Sequence, residues 1–144
     1  MTVRQGDSVT LREQQMTEWK TAQTGLTVER TIALFKTLLG SKGITVFDVF
    51  DHAENARQAG LTLDDESVIV FGSPKVGTAL MQDNPDVGYE LPLRILVRND
   101  NGVTRIIYRE PESLIEAYGL SDSQPQVRQL SDLLREMTGR ASLS

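Results

Sequence analysis

The sequence predicts an α+β domain, with helices packed on a mostly antiparallel sheet of about five strands and a helix at the C-terminal end. Three observations lead there. Leu91–Asn99 and Val103–Arg109 are two β-rich runs separated by Asp100-Asn101-Gly102, and Asn-Gly is the preferred pair for a type I′ hairpin turn. Upstream, runs rich in β-branched and aromatic residues alternate with short segments that begin on capping residues. The second and third of those helical segments are too short to serve as full crossovers between parallel strands.

Taken in order, Thr17–Ala22 alternates weakly and reads as a first strand. Thr27 can cap a helix in which Val28, Ile32, Phe35 and Leu39 recur at helical spacing, with Gly40 and Gly43 marking its end. Ile44–Phe50 is a second strand. Asp51 caps a short helix through Arg57, closed by Gly60. Ser67–Phe71 is a continuous apolar run and reads as an inner strand. Ser73 at the cap and Pro74 at the first helical position open the next helix, which Gly77 weakens and Pro85 stops. After the hairpin, Glu110-Pro111 opens a helix ending at Gly119. Pro125 starts the last one, whose Val127, Leu130, Leu134 and Met137 form an apolar stripe ending at Gly139. Leu80, Met81 and Trp19 are assigned to the core.

With 144 residues the chain is expected to form one domain, long enough to bury roughly 70% of its unfolded surface without a metal or disulfide. A loose arm is expected over 1–15, the domain proper over 16–120, and a helix with a tail over 121–144. The absence of cysteine excludes a disulfide framework and a thiolate zinc site. A net charge of −5 speaks against duplex nucleic acid as a partner, and Arg94, Arg98, Arg105 and Arg109 read as the solvated face of the hairpin. No apolar run has the length of a signal peptide or of a membrane span, so a cytoplasmic protein without a membrane partner is expected. No cofactor or metal motif is recognised.

Two turns carry the candidate chemistry. Asp51-His52 places the only histidine in the first turn of a helix, where the backbone dipole favours a neutral imidazole able to act as base or ligand. Gly72-Ser73-Pro74-Lys75-Val76-Gly77-Thr78 leads from a strand into a helix start, whose amides could hold a small anion beside Lys75. Thr78 stands where a phosphate loop would need its lysine, so nucleotide hydrolysis is not indicated. The expectation is one recess framed by Asp51, His52 and the Gly72–Thr78 turn that binds a small anionic or polar ligand. Two alternatives stand beside it: an enzyme with His52 as general base, assisted by Asp51, and a structural or dimeric interaction module.

The spaced pattern Phe50-Asp51-His52-Ala53, Asn55-Ala56, Gly60-Leu61 and Val70-Phe71-Gly72-Ser73-Pro74-Lys75-Val76-Gly77 resembles the bacterial family catalogued as domain of unknown function 302. The likeness continues through Thr78–Met81, Leu91-Pro92-Leu93 and Leu96-Val97, and spans roughly residues 16–120. It implies a compact α+β domain that pairs as a homodimer, with signature positions at Asp51, His52, Gly72, Pro74, Gly77 and Pro92. Ser73 departs from the asparagine common in the family, though both residues cap helices. The resemblance supplies no reaction.

Overall fold

The turn at Asn101-Gly102 organises the centre of the sheet. A computed structural model describes residues 18–144, and the arm expected over 1–15 lies outside them. Strands β4 (Leu93–Asp100) and β5 (Val103–Arg109) pair from Asp100 opposite Val103. Asn101 and Gly102 both have positive φ, 52° and 91°, as a type I′ turn demands.

The remaining strands, β1 (Trp19–Thr24), β2 (Thr45–Asp51) and β3 (Glu66–Gly72), extend the hairpin on both sides. The order is β1-β5-β4-β3-β2, with every neighbouring pair antiparallel. The apolar run of β3 is therefore an inner strand, and β1 and β2 are the edges. A bulge between Val46 and Asp48 leaves Phe47 as the extra residue of β2.

Caps place the helices close to where the sequence puts them. Thr27 Oγ1 accepts from Arg30 N at 3.2 Å to start α1 (Val28–Ser41). Asp51 and Ser73 cap α2 (His52–Gln58) and α3 (Pro74–Asp83). A 3₁₀ turn over Pro85–Glu90, not anticipated as helical, joins α3 to β4. The helix α4 (Ser113–Tyr118) ends at Gly119, whose φ of 62° is the left-handed cap that glycine supplies cheaply.

Alternation along the strands divides the molecule. Ile69 and Phe71 of β3, Ile95 and Val97 of β4, and Ile106 of β5 are fully buried, in one cluster with Phe35 and Leu39 of α1 and Leu134 and Met137 of α5 (Gln124–Ser142). Side chains of the opposite parity form the other face of the sheet. Across it runs one row, Thr21–Ile107–Leu96–Val68–Phe50, apolar from Ile107 to Phe50, with each residue paired directly with the next. The four hairpin arginines lie on this face too.

Two expectations are corrected. The last helix does not end at Gly139 but continues to Ser142. Ala141 is buried there, and its carbonyl accepts from Thr24 Oγ1 at 2.6 Å, which ties the final turn to β1. Trp19 and Met81 are not core: they are 52% and 38% exposed, because an edge position and the outer face of α3 leave them uncovered, while Leu80 is sealed. The apolar stripe of the last helix is core, since Val127, Leu130, Leu134 and Met137 are all buried against the rest of the domain.

Candidate functional site

The register separates the two turns that the sequence joins. Asp51 pairs with Ser67 and Thr45 with Gly72, so the starts of α2 and α3 stand at opposite ends of the β2–β3 ladder. Six residue steps of extended chain set them about 20 Å apart. No single recess holds His52 and the Gly72–Thr78 turn. The reason is topological: a sequence shows that each helix follows a strand, but adjacent antiparallel strands finish at opposite edges of the sheet. Asp51 Oδ1 accepts from Glu54 N at 2.9 Å as a cap, and His52 is half-buried beside it.

At the other end, a recess of about 280 Å³ opens beside α3. Gly72, Ser73, Pro74, Gly77 and Thr78 line it together with Phe47, Met81, Leu91 and Pro92. Five of the residues singled out in the sequence thus share a cavity, while Lys75 turns to a neighbouring groove against Gln126 and Gln129 of α5. The two glycines keep the recess open. A Cβ on Gly72 would sit 3.5 Å from Phe47 Cε2, and one on Gly77 would sit 3.7 Å from Leu91 Cδ1.

The polarity of this recess differs from that of a phosphate loop. Pro74 has no amide hydrogen, and Val76 N already donates to Ser73 Oγ at 3.4 Å. Among the first-turn amides, Lys75 is left without a side-chain acceptor among the described residues. The walls are mainly hydrocarbon, from Phe47, Met81, Leu91 and Pro92. Such a site holds an apolar body and offers a small polar edge at the helix start. Phe47 was not legible as a lining residue, because only the bulge turns it here. Met81 gave a signal only in its helical spacing from Gly77.

Two polar links fix the surroundings. Asp83 Oδ2, at the end of α3, accepts from Ser123 Oγ at 2.8 Å and from the amides of Ser123 and Asp122 at 2.9 and 3.0 Å. The Ser123 hydroxyl foremost, with those amides, holds the Asp83 carboxyl below its usual range. Asn84 Nδ2 donates to the Tyr118 carbonyl at 2.8 Å. Glu90, at the end of the 3₁₀ turn, accepts from Arg109 Nη1 at 2.6 Å and from the Tyr118 hydroxyl at 3.1 Å. Burial, reinforced by Glu90, pushes the Tyr118 phenol up. Among the described residues no helix is long and apolar enough to cross a membrane, and no three His, Asp or Glu side chains are grouped to hold a metal ion.

Residues 19–138 match the family model described as domain of unknown function DUF302. A 95-residue stretch is 38% identical to proteins named fluoride-specific ion channel FluC 1 from Brucella suis biovar 1 and from Brucella abortus biovar 1. That stretch is 65% of this chain but 36% and 34% of those proteins, so the match covers about a third of the length of these relatives. The fold is similar to a crystal structure of an uncharacterized conserved DUF302 protein from Bacillus stearothermophilus, with a TM-score of 0.76 at 21% identity. That superposition covers 86% of this chain and 98% of the other. The match over 19–138 makes the chain a member of the DUF302 family.

Proposed function

We propose that this is a binding domain for a small molecule with an apolar body and an acidic or polar head, held in the recess at the start of α3. The observation that carries the reading is the convergence of Gly72, Ser73, Pro74, Gly77 and Thr78 on one cavity walled by Phe47, Met81 and Pro92. The ligand's apolar part lies against Phe47 and Met81. Its polar head meets the Ser73 and Thr78 hydroxyls, which line the recess near the positive end of the helix dipole. Asp51 and His52, at the far end of the ladder, belong to no shared site with this recess. A general-base role for His52 therefore has no stabilising amides from the Ser73–Lys75 turn to work with.

Relatives named as fluoride-specific ion channels support an anion as one arm of the test. A thermal-shift series with short- and medium-chain carboxylates, inorganic phosphate and fluoride decides. Stabilisation is expected with the carboxylates, and Gly77→Leu, which fills the cavity, abolishes it. Equal stabilisation of wild type and Gly77→Leu, or none with any probe, overturns the reading.

A second reading, pairing of two copies, draws on the β2 edge. Phe47 and Phe50 there are 51% and 46% exposed, on a strand that forms an edge of the sheet among the described residues. Light scattering tests it: a dimer that Phe50→Glu converts to monomer supports pairing along β2, and a monomer at all concentrations removes it.

A further inference from the structure

At the end of the sheet near β1, β5 and the 3₁₀ turn lies a second cavity of about 420 Å³, lined toward the core by Leu93, Tyr108, Leu114 and Leu134 and on the other face of the sheet by Val68, Arg94, Leu96 and Ile107. Its floor is the apolar stretch Ile107–Leu96–Val68, three residues in direct cross-strand register. Two aromatic side chains stand on its lining although water reaches both: Trp19 is 52% exposed and Tyr89 is 84% exposed. Such side chains commonly bury their rings when a flat partner is present.

The charges on this face distinguish one residue. Arg98 and Arg105 share Asp100, at 3.8 and 2.6 Å, and Arg109 is paired with Glu90 at 2.6 Å. Glu90 is in turn bonded by the Tyr118 hydroxyl, so its charge is already answered. Among the described residues Arg94 enters no ion pair, and it lines the same cavity. A cationic fork without a carboxylate partner, beside a hydrocarbon floor and two aromatic rings, lacks only a planar anion.

We propose that this cavity is a binding site for an aromatic carboxylate, whose ring lies on Val68, Leu96 and Ile107 between Trp19 and Tyr89 and whose carboxylate is held by Arg94. A volume of about 420 Å³ is within the usual range of small-ligand sites. The site is separate from the recess at α3 and takes none of its residues except the strand residue Leu93, which lines both.

Isothermal titration calorimetry with 2-naphthoate and its neutral analogue 2-naphthalenemethanol tests the assignment. The expected result is one naphthoate bound per chain, about tenfold or more tighter than the alcohol, as one charge-assisted contact supplies. Arg94→Gln erases that preference, whereas Arg105→Gln, whose arginine is already paired with Asp100, keeps it. Circular dichroism of both variants verifies folding. Trp19 is the only tryptophan, so its emission reports occupancy directly and should shift on adding naphthoate. Equal binding of acid and alcohol, no heat up to millimolar probe, or a preference that survives Arg94→Gln overturns the proposal. So does a dimer that Trp19→Glu dissociates, because a second copy would then occupy this face.

Discussion

Arg109 Nη1 donates to Glu90 Oε1 at 2.6 Å and so ties the end of β5 to the end of the 3₁₀ turn, 19 residues earlier in the chain. Glu90's side chain is 11% exposed and Arg109's is 31% exposed, so the pair is largely shielded. The same oxygen also receives the Tyr118 hydroxyl, which brings α4 into the link. Removing the carboxylate leaves a half-buried guanidinium and a phenol without their acceptor. Glu90→Ala is expected to cost about 1–3 kcal/mol, measured by urea denaturation. An unchanged midpoint would show that water replaces Glu90 without loss.

The phenols give a pH signature. Burial is the first cause that raises both Tyr108 and Tyr118, with Glu110 and Glu90 adding negative charge beside them. A raised folded value means the native state holds its protons longer than the unfolded chain. That contribution to stability is complete below the ordinary tyrosine value of about 10 and is lost as pH climbs through the folded values. An absorbance titration should find two phenols ionising late, together with a falling melting temperature above about pH 10. Replacing Tyr118 with Phe removes one of the late transitions.

Asp83 makes the opposite prediction. Its lowered carboxyl means that stability is present above the unfolded aspartate value, about 3.9, and is lost as pH falls through the folded value. Asp83→Asn, which keeps the shape and removes the charge, should melt below wild type at neutral pH, with the difference closing below about pH 4. A gap that persisted in acid would mean that Asp83 acts by packing.

Gly77 separates stability from ligand capture. It lies within α3, and an added Cβ meets only Leu91 Cδ1 at an ordinary 3.7 Å. Gly77→Ala should therefore stabilise the domain by up to about 1 kcal/mol through helix propensity. The larger Gly77→Leu fills the recess. A destabilised Gly77→Ala would indicate that Leu91 cannot yield.

The core sets the scale for these effects. Phe71 is fully buried at the centre of the cluster, and Phe71→Ala should cost about 3–5 kcal/mol in the same denaturation assay. A loss much below that range would require the surrounding helices to collapse into the void.

Much of the fold was legible because its signals are local. Asn101-Gly102 can adopt two successive positive φ values, Thr27, Asp51 and Ser73 can each satisfy an amide in the first turn of their helices, and the arginines interleaved with apolar residues in the hairpin mark its two faces. These depend on residues within a few positions of one another. Two failures, Gly139 as a helix end and Trp19 as core, arose where distant contacts outweighed local preference. The bond from Thr24 to the Ala141 carbonyl extends the last helix past its glycine, and an edge position exposes Trp19.

The sequence by itself determined the α+β class, the central hairpin, the capped helices and the family resemblance. The tertiary structure alone decided which turns meet. Strand pairing is a long-range choice, and its antiparallel register sends Asp51 and Gly72 to opposite ends while the β2 bulge brings Phe47 to the α3 turn. Among the described residues it also left Arg94 outside every ion pair, because ion pairing depends on which side chains lie within reach after folding.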